Sequence, residues 1–320
     1  MVKLVNNFCC RLVCCVLVLL SAPLPAQIDS SFVETFASLS RVNGGLRYRD
    51  NSVTFSVGEA ESLRLDNKGL ALRLGGRYKW IGYTFSIPIS DLGTGSDLGD
   101  AKSLGANVQF YRDKFYLNAV ARRTRGFVQD LSVQPSVFRK DIEFINVLLY
   151  GFRILNSKRF SLRSSFKLRN RQLQSSGSLL LGGVINRQIL SADSLSLPFR
   201  ELGEIKIDRY SQTKLGIGLG YAYTHVFSSG FFITPMVIAG PEVRLIDYDP
   251  INSSRELERR RVSLRLRGRV AIGINGEVNY AAINASYLPS IDNTENIDTR
   301  LQQTIIELVL GHRFLGKKKE

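Results

Sequence analysis

Leu70-Ala71-Leu72-Arg73-Leu74-Gly75-Gly76-Arg77-Tyr78-Lys79-Trp80 interleaves two chemistries residue by residue. Leu70, Leu72, Leu74, Gly76, Tyr78 and Trp80 form one series; Ala71, Arg73, Gly75, Arg77 and Lys79 form the other. Successive side chains of a strand point to opposite faces, so an extended chain here has one apolar face and one cationic face. The pattern returns at 261–273, where Arg265, Arg267 and Arg269 alternate with Val262, Leu264, Leu266, Gly268 and Val270. It also returns at 159–170, with Arg163, Lys167 and Arg169 opposite the apolar series.

A soluble sheet can alternate in this way too, so the decision comes from the rest of the chain. Residues 12–20 are the only long continuous apolar run, and nine residues are too few for a helical span, which needs ~20. Lys3 and Arg11 precede that run and Ser21-Ala22-Pro23-Leu24-Pro25-Ala26 follows it, the layout of a secretory signal peptide with cleavage expected after Ala26. A lipoprotein leader is the rival, but Cys9, Cys10, Cys14 and Cys15 sit at the front of the apolar run rather than behind it. All four cysteines leave with the leader, which excludes disulfides and thiol chemistry. With only His225 and His312, a structural zinc site is not expected either.

The chain has a net charge of +15, or about +13 once Lys3 and Arg11 are removed. In an exported protein this surplus points away from nucleic acid. It points towards outer-membrane lipid, lipopolysaccharide and anionic solutes or polymers.

Strand candidates fall at 44–58, 69–79, 80–88, 103–111, 114–124, 142–154, 159–170, 212–226, 231–245, 261–273, 276–288 and 303–314. Most have the length a tilted membrane strand needs. Asn275-Gly276 is a hairpin signal. Short connections near 79–81, 112–113, 155–158, 227–230 and 274–275 alternate with long ones at 59–68, 89–102, 125–141, 246–260 and 289–302. Short periplasmic turns and long outer loops are the pattern of a barrel. The expected fold is all-β: a transmembrane antiparallel up-and-down β-barrel of about 12 strands. In that reading 171–211 is one large outer excursion. If 178–189 instead pairs with a strand near 200–210, the count is 14. Both counts are even, which puts both termini in the periplasm. The expected organisation is a signal peptide at 1–26, a periplasmic segment at 27–39, the barrel at 40–314 and a basic tail at 315–320.

The last strand ends Leu310-Gly311-His312-Arg313-Phe314, which looks like the signal that the barrel-assembly machinery reads on outer-membrane proteins. His312 stands where an aromatic residue is usual, and a short tail follows Phe314. Two further stretches carry a closer likeness. They are Tyr78-Lys79-Trp80-Ile81-Gly82, and Gln109-Phe110-Tyr111-Arg112-Asp113-Lys114-Phe115-Tyr116 leading to Arg125-Gly126-Phe127. With Gly177-Ser178 and the run at 218–223, they resemble an uncharacterised Bacteroidetes family of envelope proteins, a domain of unknown function taken to form outer-membrane barrels. The resemblance implies a location and an architecture, and no catalytic residues.

Three charges on a lipid-facing strand would cost ~2–4 kcal/mol each near the bilayer midplane, so the basic rows must face the lumen. There they either pair with acids such as Glu143, Glu277 and Glu307 as a salt-bridged plug, or line a narrow path that favours anions. The glycine row Gly216, Gly218 and Gly220 alternates strictly and no helix follows it, so it fails the context of a nucleotide loop. His225, with Ser228 after a turn, is the one candidate for lipid-processing chemistry, and nothing obvious orients it. Aromatic residues from Tyr78 to Phe232 gather at strand ends as membrane-interface belts. Arg259, Arg260 and Arg261 suit a loop rim near lipopolysaccharide phosphates. The expected function is non-enzymatic, without cofactor or metal: a structural barrel, or a narrow channel with a cationic lumen. The alternatives are a lipid-modifying enzyme and a scaffold that binds a partner through 171–211.

Overall fold

A computed structural model describes residues 28–36, 40–57, 61–78, 81–90, 102–111, 113–131, 134–199, 203–251, 257–293 and 297–314. Their strands are β1 (Val33–Thr35), β2 (Ser40–Val57), β3 (Glu61–Tyr78), β4 (Ile81–Ser90), β5 (Lys102–Tyr111), β6 (Phe115–Leu131) and β7 (Gln134–Ile154). A short helix α1 (Leu162–Phe166) follows, then β8 (Asn170–Gln172), β9 (Ser176–Phe199) and β10 (Gly203–Val226). The chain continues through β11 (Phe231–Pro250), β12 (Leu257–Asn275), β13 (Asn279–Asn293) and β14 (Asp298–Phe314).

Every pairing in the main sheet is antiparallel, in the order β4-β3-β2-β14-β13-β12-β11-β10-β9-β7-β6-β5. The sheet closes on itself where β3 meets β6, with Leu63 opposite Leu131 and Asp66 opposite Val128. The closed circuit therefore has ten strands, fewer than the dozen expected. β4 pairs with the later half of β3, and β5 with the first part of β6. These two strands lie outside the circuit, as the two edges of the sheet.

Alternation decides the wall's two faces. On β12, Val262, Leu264 and Leu266 are exposed outwards while Arg267 and Ala271 are buried inwards. On β10 the outward set includes Ile217, Leu219, Tyr221 and Tyr223, and the inward set includes Tyr210, Gln212, Lys214 and Ala222. Gly230 has a φ of +80° in the β10–β11 turn, and Gly126 has a φ of +87° where the β6–β7 register shifts. Both are backbone states that glycine adopts at little cost.

Two expectations about the strands are overturned. Residues 159–170 form no wall strand. They fold into the lumen as α1 and its flanks, between β7 and β9 at the short-turn end. Nor is 171–211 an excursion. After β8 it becomes β9 and much of β10, each 24 residues long and paired across 21 positions. Most of the expected long loops are likewise strand: 61–68 belongs to β3, 134–141 to β7 and 246–250 to β11. The reason is a second core. At the long-loop end Phe55, Leu63, Leu65, Phe127, Ile142, Leu190, Leu195, Leu197, Ile207, Tyr210 and Tyr248 pack together inside the wall. Burying apolar side chains inside a strand extension stabilises it by roughly 1.5–3 kcal/mol per residue.

The other core joins the plug to the short-turn end. Phe160, Leu162, Phe166 and Leu168 pack against Tyr150, Phe152, Leu180, Ala222, Phe232, Met236, Ala271 and Tyr280. Polar contacts fix the plug's position. Asn275 Nδ2 donates to Ser164 O at 3.0 Å and to Asn170 O at 2.7 Å. Ser165 Oγ lies 2.6 Å from Thr234 Oγ1 and 3.2 Å from Thr224 Oγ1. Arg313 donates to the carbonyls of Gly276 and Leu168 and to Asn275 Oδ1. β1 pairs with β8, with Glu34 held by Arg171 at 2.7 Å, so the N-terminal segment docks beneath the plug. The leader at 1–26 and the tail at 315–320 lie outside the described residues.

Candidate anion-binding chamber

Between the two apolar layers lies a cavity of about 470 Å³. Among the described residues its lining includes Arg41, Arg47, Arg49, Lys68, Arg73, Arg122, Lys167, Arg169, Arg267 and Arg269 against a single carboxylate, Glu307. β2, β3, β6, β12 and β14 contribute from the wall, and the plug supplies the floor through Phe166, Lys167 and Arg169.

Glu307 is the local counter-charge. Arg47 Nε reaches one of its oxygens at 2.5 Å and Arg73 Nη1 the other at 3.0 Å. Arg267 Nη2 donates to Tyr150 Oη at 2.7 Å, and its guanidinium stands 4.0 Å above the Tyr150 ring. The Nε and Nη1 of Arg267 are buried with no hydrogen-bond partner among the described residues. Arg269 lies 4.1 Å from the Phe166 ring and so presses on the plug. Two arginines point to the strands outside the circuit: Arg47 Nη1 donates to Ser86 Oγ at 3.4 Å and Arg49 Nη1 to Ser103 Oγ at 3.3 Å.

Several sequence-predicted residues fall elsewhere than expected. Arg73, Arg267 and Arg269 are wall residues of the chamber. Lys167 and Arg169 reach it from the plug, not from a strand. Arg163 sits on α1 and pairs with Asp113 at 2.9 Å, outside the chamber lining. Arg265 faces a smaller cavity of about 100 Å³ with Lys214 and Glu242. The side chain of Arg77 and all of Lys79 lie outside the described residues. Of the proposed acid partners only Glu307 faces in. Glu143 is on the outer face with Arg123 at 2.5 Å, and Glu277 is exposed in the β12–β13 turn.

Arg41, Arg47, Arg49, Lys68 and Arg122 also line the chamber and are not among the residues the sequence pattern points to. Arg47 and Arg49 alternate with Leu46 and Tyr48, the same signal in a less apolar setting.

The His225–Ser228 pair is not formed. His225 Nδ1 lies 3.4 Å from Ser175 Oγ, which itself accepts from the Val226 N–H at 2.9 Å. The His225 ring packs edge-on against Phe227, 4.5 Å between centroids. In the final strand Leu310, His312 and Phe314 project outwards and are exposed. His312 is 2.8 Å from Asn279 Oδ1. Gly311 faces in beneath the Tyr280 ring, where a Cβ would overlap it. No group of metal-ligating side chains occurs among the described residues, and none of their helices is long and apolar enough to cross a membrane.

Among solved structures the chain is similar to the outer-membrane protease OmpT of Escherichia coli. The identity is 10% and the TM-score 0.42, over 88% of this chain and 98% of that one. It is also similar to the translocator domain of the autotransporter NalP of Neisseria meningitidis, with 12% identity and a TM-score of 0.38 over 98% of both chains. A third likeness is to the outer membrane protein OprG of Pseudomonas aeruginosa, with 11% identity and a TM-score of 0.25 over 88% of this chain and 99% of that one. No curated protein matches the sequence. The family described as Domain of unknown function (DUF4421) matches residues 27–314, the whole of the barrel and its plug, and the chain belongs to that family.

Proposed function

We propose that the protein is an exported barrel of a Gram-negative outer membrane, of the Bacteroidetes kind its sequence resembles, that holds an anionic group in its cationic chamber and catalyses no reaction. The membrane reading is supported by a band of exposed apolar side chains around the wall. It includes Val42, Leu46, Leu74, Ile217, Leu219, Val237, Leu264, Ile283 and Ile306. Tyr221, Tyr223, Phe227 and Phe314 border the band at the short-turn end, and the Arg123–Glu143 pair borders it at the other. Lipid and lipopolysaccharide would surround this wall, and the assembly machinery would read Leu310 to Phe314.

The observation that carries the function is the charge of the chamber: among the described residues, ten cationic side chains line it with one carboxylate. Holding so many like charges in one space opposes folding unless anions enter. A through-channel is the weaker reading, because apolar cores lie above and below the chamber. An enzyme acting through His225 is weaker still, since Ser228 is not its partner and its Ser175 contact is long and exposed.

Calorimetric titration of the purified protein with inorganic pyrophosphate, in zwitterionic detergent, tests the reading. Binding that weakens with added salt is expected. Absence of binding at low salt would overturn it.

A further inference from the structure

We propose that the chamber's ligand is the phosphorylated headgroup of a membrane lipid, and that the headgroup reaches it sideways, between β4 and β5. The inference rests on the chamber reading above and adds to it a ligand class and a route.

The route follows from the hydrogen bonding of the wall. Strands next to one another in the sheet order are laddered, and the order begins at β4 and ends at β5. Above these strands β3 and β6 are joined directly, from Leu63–Leu131 to Asp66–Val128. Below that level each has its own extra partner. Parting any other two neighbours breaks a ladder of backbone hydrogen bonds, each costly to leave unmade in lipid. Parting β4 from β5 breaks none among the described residues.

The two edges are also two-faced in the right sense. Phe85, Ile87 and Ile89 of β4, with Val108 and Phe110 of β5, project outwards and are exposed, and the exposed Leu104 stands at the mouth of the chamber. Ser86, Ser103 and Asn107 are also exposed and belong to the chamber lining. The arginines of the chamber already bond to these edges, Arg47 to Ser86 and Arg49 to Ser103. The gap is thus polar within and apolar without, which suits a molecule with an anionic head and hydrocarbon tails. Along the axis the apolar cores offer a charged head no comparable path.

The ligand class follows from the donors. Guanidinium groups bind phosphate oxygens through paired N–H donors, and they do so most strongly where water is scarce. Arg49 Nε is buried without a hydrogen-bond partner among the described residues. Arg122 faces inwards opposite Gly105 of β5, beside the gap. A cavity of about 470 Å³ holds a headgroup-sized ligand. The acyl chains would remain in the bilayer against Phe85, Ile87 and Leu104.

The test uses the full chain in phosphatidylcholine nanodiscs with and without phosphatidic acid, with native mass spectrometry reading retained lipid. Inorganic pyrophosphate serves as the soluble competitor. Phosphatidic acid is expected to be retained over phosphatidylcholine and displaced by pyrophosphate. Replacing both Arg49→Gln and Arg122→Gln should weaken both ligands by about tenfold or more. In a second variant, Ser86→Cys with Ser103→Cys, the folded protein is bridged by a short bis-maleimide before lipid is added, with each single variant as control. Bridging should abolish uptake of phosphatidic acid.

Pyrophosphate binding without retention of phosphatidic acid overturns the lipid inference and leaves the chamber reading standing. Binding of neither overturns both. Retention of phosphatidic acid that survives bridging or the arginine exchange places the lipid on the outer wall, and this also overturns the inference. Heat-modifiable migration of each variant reports folding, and the bridged variant, closed after folding, keeps the test decisive if the arginine variant does not fold.

Discussion

Glu307 bridges two guanidinium groups, and among the described residues it is the one carboxylate of the chamber lining. Replacing it by Gln keeps its shape and removes the charge. Arg47 and Arg73 then repel each other with their counter-ion gone, a loss of about 2 kcal/mol once the wetness of the chamber is allowed for. Glu307→Gln is therefore expected to lower the unfolding midpoint in heat-modifiability assays, yet to tighten pyrophosphate binding. A variant that is less stable without binding more anion would separate Glu307 from the ligand site. Gly311 makes a different kind of contact. Tyr280 lies across it with Arg313 4.4 Å from the ring centroid, so Gly311→Ala must push the ring away from the plug's anchor. A cost of about 1–3 kcal/mol is expected, read as a lower unfolding midpoint. These residue-scale facts were only partly legible. Arg265, Arg267 and Arg269 stand out because their neighbours are plainly apolar, and period two needs no tertiary information to assign a face. Arg47 and Arg49 are harder to assign because the series opposite them, Gly44, Leu46, Tyr48 and Asp50, is apolar only in part. Which acid a lumen arginine meets depends on the register across strands, and no single strand encodes it.

At the scale of elements, local pattern and packing disagree most at 159–170. Phe160, Leu162, Ser164, Phe166 and Leu168 alternate with Ser161, Arg163, Ser165, Lys167 and Arg169, a period a strand would show. The segment instead lies inside the barrel, where its apolar residues meet the inner wall and its hydroxyls meet Thr224 and Thr234. Alternation reports two unlike surroundings and does not say that one of them is lipid. The stretch 190–211 was misread for the opposite reason. The alternation of short and long connections puts it in an outer excursion, but Leu190, Leu195, Leu197 and Ile207 belong to the upper core and hold it as strand. That upper half has its own pH dependence. Arg139 donates to both oxygens of Asp141, at 2.8 and 2.6 Å, and the Asp193 N–H donates to the same carboxylate at 3.1 Å. The Arg139 bond comes first among the causes that hold Asp141 below the ordinary carboxylate range, with burial opposing it. A depressed carboxylate stabilises the fold above its unfolded pKa, ~3.9. That contribution fades as pH falls through the lower folded value. Resistance of this end to protease is therefore expected to be constant from neutral pH down to about 4 and to drop below it. In Asp141→Asn it should be lower at neutral pH by about 1 kcal/mol, with the acid step reduced. An unaltered acid step would assign the transition to other carboxylates.

For the whole molecule the question is what closes the barrel along its axis. The plug is covalently part of the wall, between β7 and β9, and is pinned by Asn275 and Arg313. Ten laddered strands close around it without needing its hydrogen bonds. Plug and wall should thus be separable: loosening one need not unfold the other. Each Phe→Ala change in a packed core costs roughly 3–5 kcal/mol, more than a short segment of this kind is expected to tolerate twice. The double variant Phe160→Ala with Phe166→Ala is expected to undock the plug while the barrel still migrates as a folded, heat-modifiable species. In planar bilayers under a salt gradient the native protein should then show no discrete steps. The variant should show small steps with a reversal potential favouring anions, because undocking exposes Arg73, Arg267 and Arg269 to the water path. Adding Arg267→Gln and Arg269→Gln to that variant should move the reversal potential towards zero without abolishing conduction. Steps from the native protein would show that the apolar cores do not close the axis, and the chamber would become the constriction of an anion channel. A folded double variant that stays silent would place the seal at the upper core around Phe55, Leu65 and Tyr210, and the lumen arginines would have to be reached from the side.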